Sequence, residues 1–183
     1  SEGGHRQFDD EDILRIEENL QSAAIIGKVV GQDEEMQRRL AQHRQKMAAF
    51  SRQLPAGASV LFGTSREQQF NLHSSQTYTG SVLAALGLKV PLPNGGAPMA
   101  AINLEQLLAL NPQWLLVAHY RAESIVTKWQ QDALWPMLQA EQKQQVAAVD
   151  SDSWARMRGI VAAERIASDM VKIVHHQAVD IAP

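Results

Sequence analysis

The stretch from Ala101 to Arg121 reads A-I-N-L-E-Q-L-L-A-L-N-P-Q-W-L-L-V-A-H-Y-R, and it decides the fold. Its first half carries leucines at roughly helical spacing, which predicts a short helix with one apolar stripe. Asn103 is placed to cap this helix, because its side chain can accept from an unpaired N–H of the first turn. Pro112 disfavours helical geometry at Asn111, so we expect the helix to end there.

The second half of the stretch predicts a buried strand. Residues 114–118 form a continuous apolar run, which is typical of a strand covered on both faces. His119, Tyr120 and Arg121 follow at its carboxyl end, the edge where open α/β sheets bind their ligands. Polar groups therefore stand where a ligand would lie, and Glu105 falls on the exposed side of the preceding helix.

The rest of the chain alternates between helical and extended patterns. We predict a further helix at 33–54, one from Thr79 as N-cap to Leu86, a broken helix at 123–138 and a closing helix at 160–175. Strands are predicted at 58–63 and 145–149, with a short returning strand at 68–73. Residues 91–98 and 154–159 are predicted as loops. Such alternation predicts an α/β fold with a small, mostly parallel sheet flanked by helices.

Composition excludes several classes of protein. The chain has 183 residues, no cysteine and a net charge of −3, so it has neither a disulfide framework nor a global basic field for nucleic acid. No apolar run approaches the roughly 20 residues of a membrane span, so we do not expect a membrane-embedded protein. The chain begins with Ser1, from which we expect a processed or truncated product.

Enzyme and metal motifs are missing from the sequence. It contains no P-loop, no dinucleotide-binding turn and no G-x-S-x-G elbow. No serine or threonine has an evident histidine partner by sequence, so we expect no enzymatic activity. The six histidines are scattered, and the adjacent pair His175-His176 would point about 100° apart on a helix, so we expect no metal site formed by protein ligands.

Arginines follow three predicted strands. Arginine matches carboxylates bidentately, and aromatic side chains can wall a small anion site. Each arginine could instead pair with a nearby acid, but three strand ends that meet in one crevice favour a shared site. The candidate ligand-binding residues are Arg66, Tyr78, Tyr120, Arg121, Trp154, Arg156 and Arg158.

Four segments carry a resemblance to a known family. They are E-N-L-Q-S-A-A-I-I-G (18–27), F-G-T-S-R-E-Q-Q-F-N-L-H (62–73), residues 104–121 of the opening stretch, and W-A-R-M-R-G-I (154–160). In these segments the chain resembles ferric citrate-binding members of the helical-backbone class, class III, of periplasmic substrate-binding proteins. Such proteins serve ABC importers of iron–siderophores, haem and cobalamin.

The resemblance implies two α/β lobes joined by one long helix, with the ligand held between them and no chemistry performed on it. The ligand would be Fe(III)-citrate, with the iron held by citrate, no cofactor and no metal ligand from the protein. The resemblance assigns Glu105 to docking onto the inner-membrane ABC permease. It also implies ligand contacts near Tyr78, near Tyr120 and Arg121, and from 154 to 158, in a periplasmic protein.

The resemblance divides the chain into a polar segment at 1–17 that we could not match, an interlobe helix region at 18–55 and a C-terminal α/β lobe at 56–183. We expect the N-terminal lobe to be absent, and hence millimolar ligand binding and self-association through 18–55. The apolar residues expected to associate are Leu20, Ala24, Ile25 and Val29. A small α/β enzyme or an interaction module for a carboxylate or other anionic ligand remains the alternative.

Overall fold

The computed structural model describes residues 33–93 and 95–182. Their helices are α1 Asp33–Arg52, α2 Tyr78–Ala85, α3 Leu104–Leu110, α4 Ile125–Trp129, α5 Gln139–Gln142 and α6 Ile160–Val174. The strands are β1 Val60–Ser65, β2 Phe70–His73, β3 Met99–Ile102, β4 Trp114–His119 and β5 Val146–Ala148. A 3-10 turn, Trp135–Met137, and a π-helical turn, Asp152–Arg156, complete the described elements.

The five strands form one mixed sheet in the order β3-β2-β1-β4-β5. β1 pairs with β4 and β4 with β5 in parallel, which confirms the parallel centre predicted from the alternation. β2 is the predicted returning strand and runs antiparallel to β1. The sequence analysis missed β3, a four-residue antiparallel strand at the sheet edge, because it follows a loop rich in proline and glycine.

Apolar side chains cover both faces of the sheet. Val60 and Phe62 of β1 belong to a cluster that includes residues of α1, α2 and α6, whereas Leu61 belongs to a second cluster with α3 and α4. This division follows from the two-residue side-chain period of a strand. The described part of the chain therefore has an α/β/α layering, and its loops carry the polar groups at the strand ends.

Local sequence rules explain most helix ends. Asn103 and Gln106 form a capping box at the start of α3. The helix ends at Asn111, as Pro112 predicts, and Asn111 takes the left-handed conformation at φ 42°, which asparagine tolerates at a helix end. The prediction of Thr79 as the cap of α2 is wrong. Thr77 caps it and accepts from the Gly80 N–H, while the Thr79 hydroxyl lies buried and donates to a backbone carbonyl.

Three parts of the sequence analysis lie outside the described residues: the segment 1–17, residues 18–32 of the interlobe helix region, and the apolar candidates Leu20, Ala24, Ile25 and Val29. Within 33–93 and 95–182, no helix is both long and apolar enough to cross a bilayer.

Candidate functional site

Three of the predicted residues meet at the carboxyl edge of the sheet. Arg66 directly follows β1, Tyr120 directly follows β4, and Arg156 lies in the turn after β5. The guanidinium carbon of Arg66 lies 4.7 Å from the centroid of the Tyr120 ring, and that of Arg156 lies 5.4 Å from it. The Tyr120 ring therefore contacts two arginines that follow different strands, and its π-electron density attracts both guanidinium groups.

A third arginine, Arg158, and a second tyrosine, Tyr78, form a similar contact. The Arg158 guanidinium lies 5.8 Å from the centroid of the Tyr78 ring, and the Tyr78 hydroxyl donates to the Gly159 carbonyl at 2.7 Å. Burial raises the pKa of Tyr78, although the bond to Gly159 and the charge of Arg158 act against it. Tyr78 is therefore a neutral phenol that anchors the turn. We call Arg66, Tyr78, Tyr120, Arg156 and Arg158 the arginine site.

The turn that carries Arg156 is held by buried hydrogen bonds rather than being a loose loop. The Asp150 carboxylate accepts from the Ser153 N–H at 2.9 Å and from its hydroxyl at 2.7 Å. Burial alone would raise the pKa of Asp150, but hydrogen bonds from Ala182 and Ser153 outweigh it and lower that pKa. The ionised carboxylate thereby orders the first residues after β5.

Two predicted site residues are not part of this group. Trp154 is fully buried, and its indole N–H donates to Asp169 at 2.9 Å, so its side chain supports the turn and faces no solvent. Arg121 is exposed and lines a cavity of about 270 Å³ with Glu67, Glu123 and Lys128. No ion pair of Arg121 with these acids is present among residues 33–93 and 95–182.

The sequence analysis missed a chain of hydroxyl groups beneath the site. The Ser65 and Ser124 hydroxyls are 2.6 Å apart, and the Ser124 hydroxyl lies 2.7 Å from Nδ1 of His119. The separation of 59 positions between the two serines hid their contact, although the position of His119 at a strand end was a usable signal. Because Ser124 is fully buried, this serine–histidine pair offers no nucleophile to a substrate.

The arginine site has an excess of positive charge. Among the described residues, the arginines of this site form one ion pair, between Arg156 and Asp152 at 3.2 Å. Both side chains are mostly exposed, at 66% and 58%. Such a pair contributes little, so Arg156 remains available to a stronger anion. Nearby His73 is buried, and burial followed by the charge of Arg158 lowers its pKa to about 4. His73 therefore adds no charge at neutral pH.

Glu105 is the residue that the resemblance assigns to permease docking. It occupies the first turn of α3 and is exposed, while Leu104 and Leu107 beside it are buried. No ion pair of Glu105 is present among residues 33–93 and 95–182. Its carboxylate is thus presented on a helix that packs firmly against the sheet.

A metal site formed by side chains is not found in the described ranges, where no group of three or more His, Asp or Glu residues could hold an ion. The chemistry of the arginine site is that of anion recognition. Guanidinium groups and a phenol donate hydrogen bonds, and aromatic faces limit the space.

Comparisons of sequence identify the family and its relatives. The family described as periplasmic binding protein matches residues 7–153, and this match begins inside the segment 1–17 that inspection left unassigned. The chain is 68% identical over 164 residues to the Fe(3+) dicitrate-binding periplasmic protein FecB of Escherichia coli K12, covering 90% of this chain and 55% of FecB. It is 29% identical to the Fe(3+)-citrate-binding protein YfmC of Bacillus subtilis 168, covering 88% of this chain and 51% of YfmC.

The chain spans about half the length of these curated relatives. Both relatives are named as binding proteins. The family description and the name of the E. coli relative both contain the word periplasmic, which agrees with the expected periplasmic location.

Solved structures share the fold at low identity. A FhuD-fold periplasmic binding protein from Bacillus subtilis superposes with a TM-score of 0.71 at 13% identity, covering 88% of this chain and 64% of that one. Staphylococcus aureus SirA in complex with staphyloferrin B gives 0.67 at 17% identity, covering 85% and 60%. Together with the family match over most of its length, these likenesses establish that the chain belongs to the periplasmic binding protein family.

Proposed function

We propose that this chain provides the C-terminal lobe of a ferric citrate-binding protein of an ABC importer, and that the arginine site is its half of the ligand site. The single observation that carries this proposal is the convergence of Arg66 and Arg156 on the ring of Tyr120. Ferric citrate species are anionic, so a protein with a net charge of −3 needs a local cluster of fixed positive charge to bind them.

Arg158 and Tyr78 extend the same charged edge, so that citrate carboxylates would meet at least three guanidinium groups. The 68% identity to a protein named for Fe(3+) dicitrate supports this choice among iron ligands. In this proposal iron arrives already held by citrate. The protein contributes hydrogen-bond donors and charge, binds its ligand unchanged and is not an enzyme.

Arg121 remains a candidate contact at the rim of the site, through the cavity that it shares with Glu67 and Glu123. Trp154 contributes by holding the 152–156 turn from within the core. We include it as a support of the ligand site, since its indole is covered on all sides.

The partner in this proposal is an inner-membrane ABC permease, which Glu105 would contact through basic residues. The exposed carboxylate on the rigid α3 helix suits such docking, because it presents charge without rearrangement of the lobe. Charge reversal by Glu105→Lys is expected to reduce import while leaving ligand affinity intact.

The experiment uses a two-lobed protein that contains this sequence as its C-terminal lobe. Arg156→Ala is expected to weaken ferric citrate binding about tenfold or more, since a hydrogen bond to a charged group contributes about 1.5–3 kcal/mol. Arg52→Ala, an exposed arginine at the end of α1, is the matched control and should leave affinity unchanged. Equal effects of the two variants on affinity would refute the arginine site, and a loss of affinity in Glu105→Lys would refute its docking role.

A further inference from the structure

Ser65, the last residue of β1, holds both ends of the loop that carries Tyr120. Its backbone carbonyl accepts from the Tyr120 N–H at 3.0 Å, where the loop begins. Its hydroxyl bonds to the Ser124 hydroxyl at 2.6 Å and accepts from the Val126 N–H at 3.1 Å, where the loop ends. Next to it, the Arg66 carbonyl accepts from the Ile125 N–H at 2.7 Å. The loop is therefore fastened to the strand from which Arg66 projects.

The hydrogens of this hydroxyl chain have one consistent direction. Ser65 is fully buried, so its O–H needs an acceptor, and the acceptor within reach among the described residues is the Ser124 oxygen. Ser124 is also fully buried, and its own O–H then points to Nδ1 of His119, 2.7 Å away. Nδ1 thus accepts, and the proton of the neutral imidazole lies on Nε2.

A proton on Nδ1 would reverse this chain. His119 would then donate to Ser124, and one of the two fully buried hydroxyls, that of Ser124 or, if Ser124 donates to Ser65, that of Ser65, would have no acceptor among the described residues. Burial also lowers the pKa of His119, which favours the neutral ring. Burial therefore keeps the ring neutral, and the hydroxyl chain selects the Nε2–H tautomer.

We propose that Ser65 and Ser124 hold His119 in its Nε2–H tautomer and thereby fix the position of Tyr120 against Arg66 and Arg156. His119 is in this sense a positioning residue, because it directly precedes Tyr120 and its ring is locked by the hydroxyl chain. The role of Tyr120 in ligand binding rests on the proposed function, in which Arg66 and Arg156 bind one anionic ligand together.

The first test reads the tautomer in the unmodified 183-residue chain by NMR of ¹⁵N-labelled histidine. His119 is assigned by comparison with the His119→Gln variant. We expect a protonated Nε2 and an unprotonated Nδ1 for His119. A protonated Nδ1 would overturn the proposal, and this result needs no variant of either serine to fold.

The second test follows Tyr120, which is one of only two tyrosines in the sequence. Ser124→Ala is expected to convert His119 to a mixture of tautomers and to shift the ¹³C ring resonances of Tyr120 while those of Tyr78 stay in place. Ser124→Thr, which keeps the hydroxyl, should restore both signals. The control Ser51→Ala removes a buried hydroxyl that donates to the Leu86 carbonyl at 3.0 Å, and it should move neither signal.

Tyr120 resonances that stay unchanged in Ser124→Ala would overturn the positioning role. So would equal shifts in Ser124→Ala and Ser51→Ala, because a general loosening of the lobe would produce both. The protein could show the expected tautomer and Tyr120 shifts and yet fail to bind ferric citrate. That result would support the positioning role and refute the proposed function, so failure of the one is distinguishable from failure of the other.

Discussion

Glu164 joins the long helix α1 to the closing helix α6, and its removal gives a sharp test of how the lobe is held together. Its carboxylate accepts from both terminal nitrogens of Arg39, at 2.8 and 3.0 Å, and from Nδ1 of His43 at 2.8 Å. The Lys46 ammonium lies 3.5 Å away. We call these four residues the glutamate clamp. The Glu164 side chain is 13% exposed and that of His43 is 3% exposed, so the centre of the clamp is shielded from water.

The perturbation is Glu164→Gln, which keeps the shape and removes the charge. Arg39 is 34% exposed, so we reduce its bidentate pair to about 1 kcal/mol for solvent screening, and the bond to His43 adds about 1 kcal/mol. The variant should therefore lose about 2 kcal/mol of unfolding free energy. For a chain of this size that corresponds to a fall of about 4–8 °C in melting temperature.

The loss should also depend on pH. Burial would raise the pKa of Glu164, but the hydrogen bonds from Arg39 and His43 outweigh it and lower that pKa from its ordinary 4.5. The stabilisation is therefore complete above pH 4.5 and disappears as pH falls through the lowered folded value.

Urea unfolding followed by tryptophan fluorescence at pH 7 and pH 3 measures both effects. The control is Glu105→Gln, which changes an exposed glutamate and should leave the midpoint in place. A Glu164→Gln midpoint equal to that of the parent at pH 7, or a difference that persists undiminished at pH 3, would refute the reasoning.

The remaining predictions concern stability and assembly. Gly80→Ala should cost about 3 kcal/mol, because its new Cβ would lie 1.8 Å from the Ser74 carbonyl oxygen, and an unchanged urea midpoint would contradict this. Asp150→Asn should cost about 2 kcal/mol and speed amide hydrogen exchange at Trp154, unless the bonds to Ser153 are dispensable. Sedimentation should detect self-association through residues 18–55, and a strict monomer at all concentrations would reject it.

Local rules predicted much of this lobe from sequence. Asn103, Asn111 and the apolar run of β4 act through neighbours in the chain, so their patterns were sufficient. β1 begins at Val60 rather than at residue 58, since pairing with β4 sets the register and the apolar pattern alone does not. The edge strand β3 forms only because β2 lies beside it, a contact that no local pattern encodes.

The sequence predicted most residues of the candidate site, but it did not predict which of them lie together. The rule that ligands bind at strand ends selected Arg66, Tyr120 and Arg156. It could not tell that Trp154 turns inward to Asp169, or that Arg121 lines a cavity with Glu67 and Glu123, because both outcomes depend on the conformation of loops. The hydroxyl chain was hidden for the same reason.

The most direct test of the central claim is a calorimetric titration of the 183-residue chain with ferric citrate, together with Arg66→Ala and Arg52→Ala. A half-site with three exposed guanidinium groups, at about 1 kcal/mol each, predicts a Kd in the millimolar range. We expect saturable binding by the parent and by Arg52→Ala, and about fivefold weaker binding by Arg66→Ala, since about 1 kcal/mol corresponds to about fivefold in Kd. The same heats in all three proteins, or micromolar binding that survives removal of Arg66, would contradict the account.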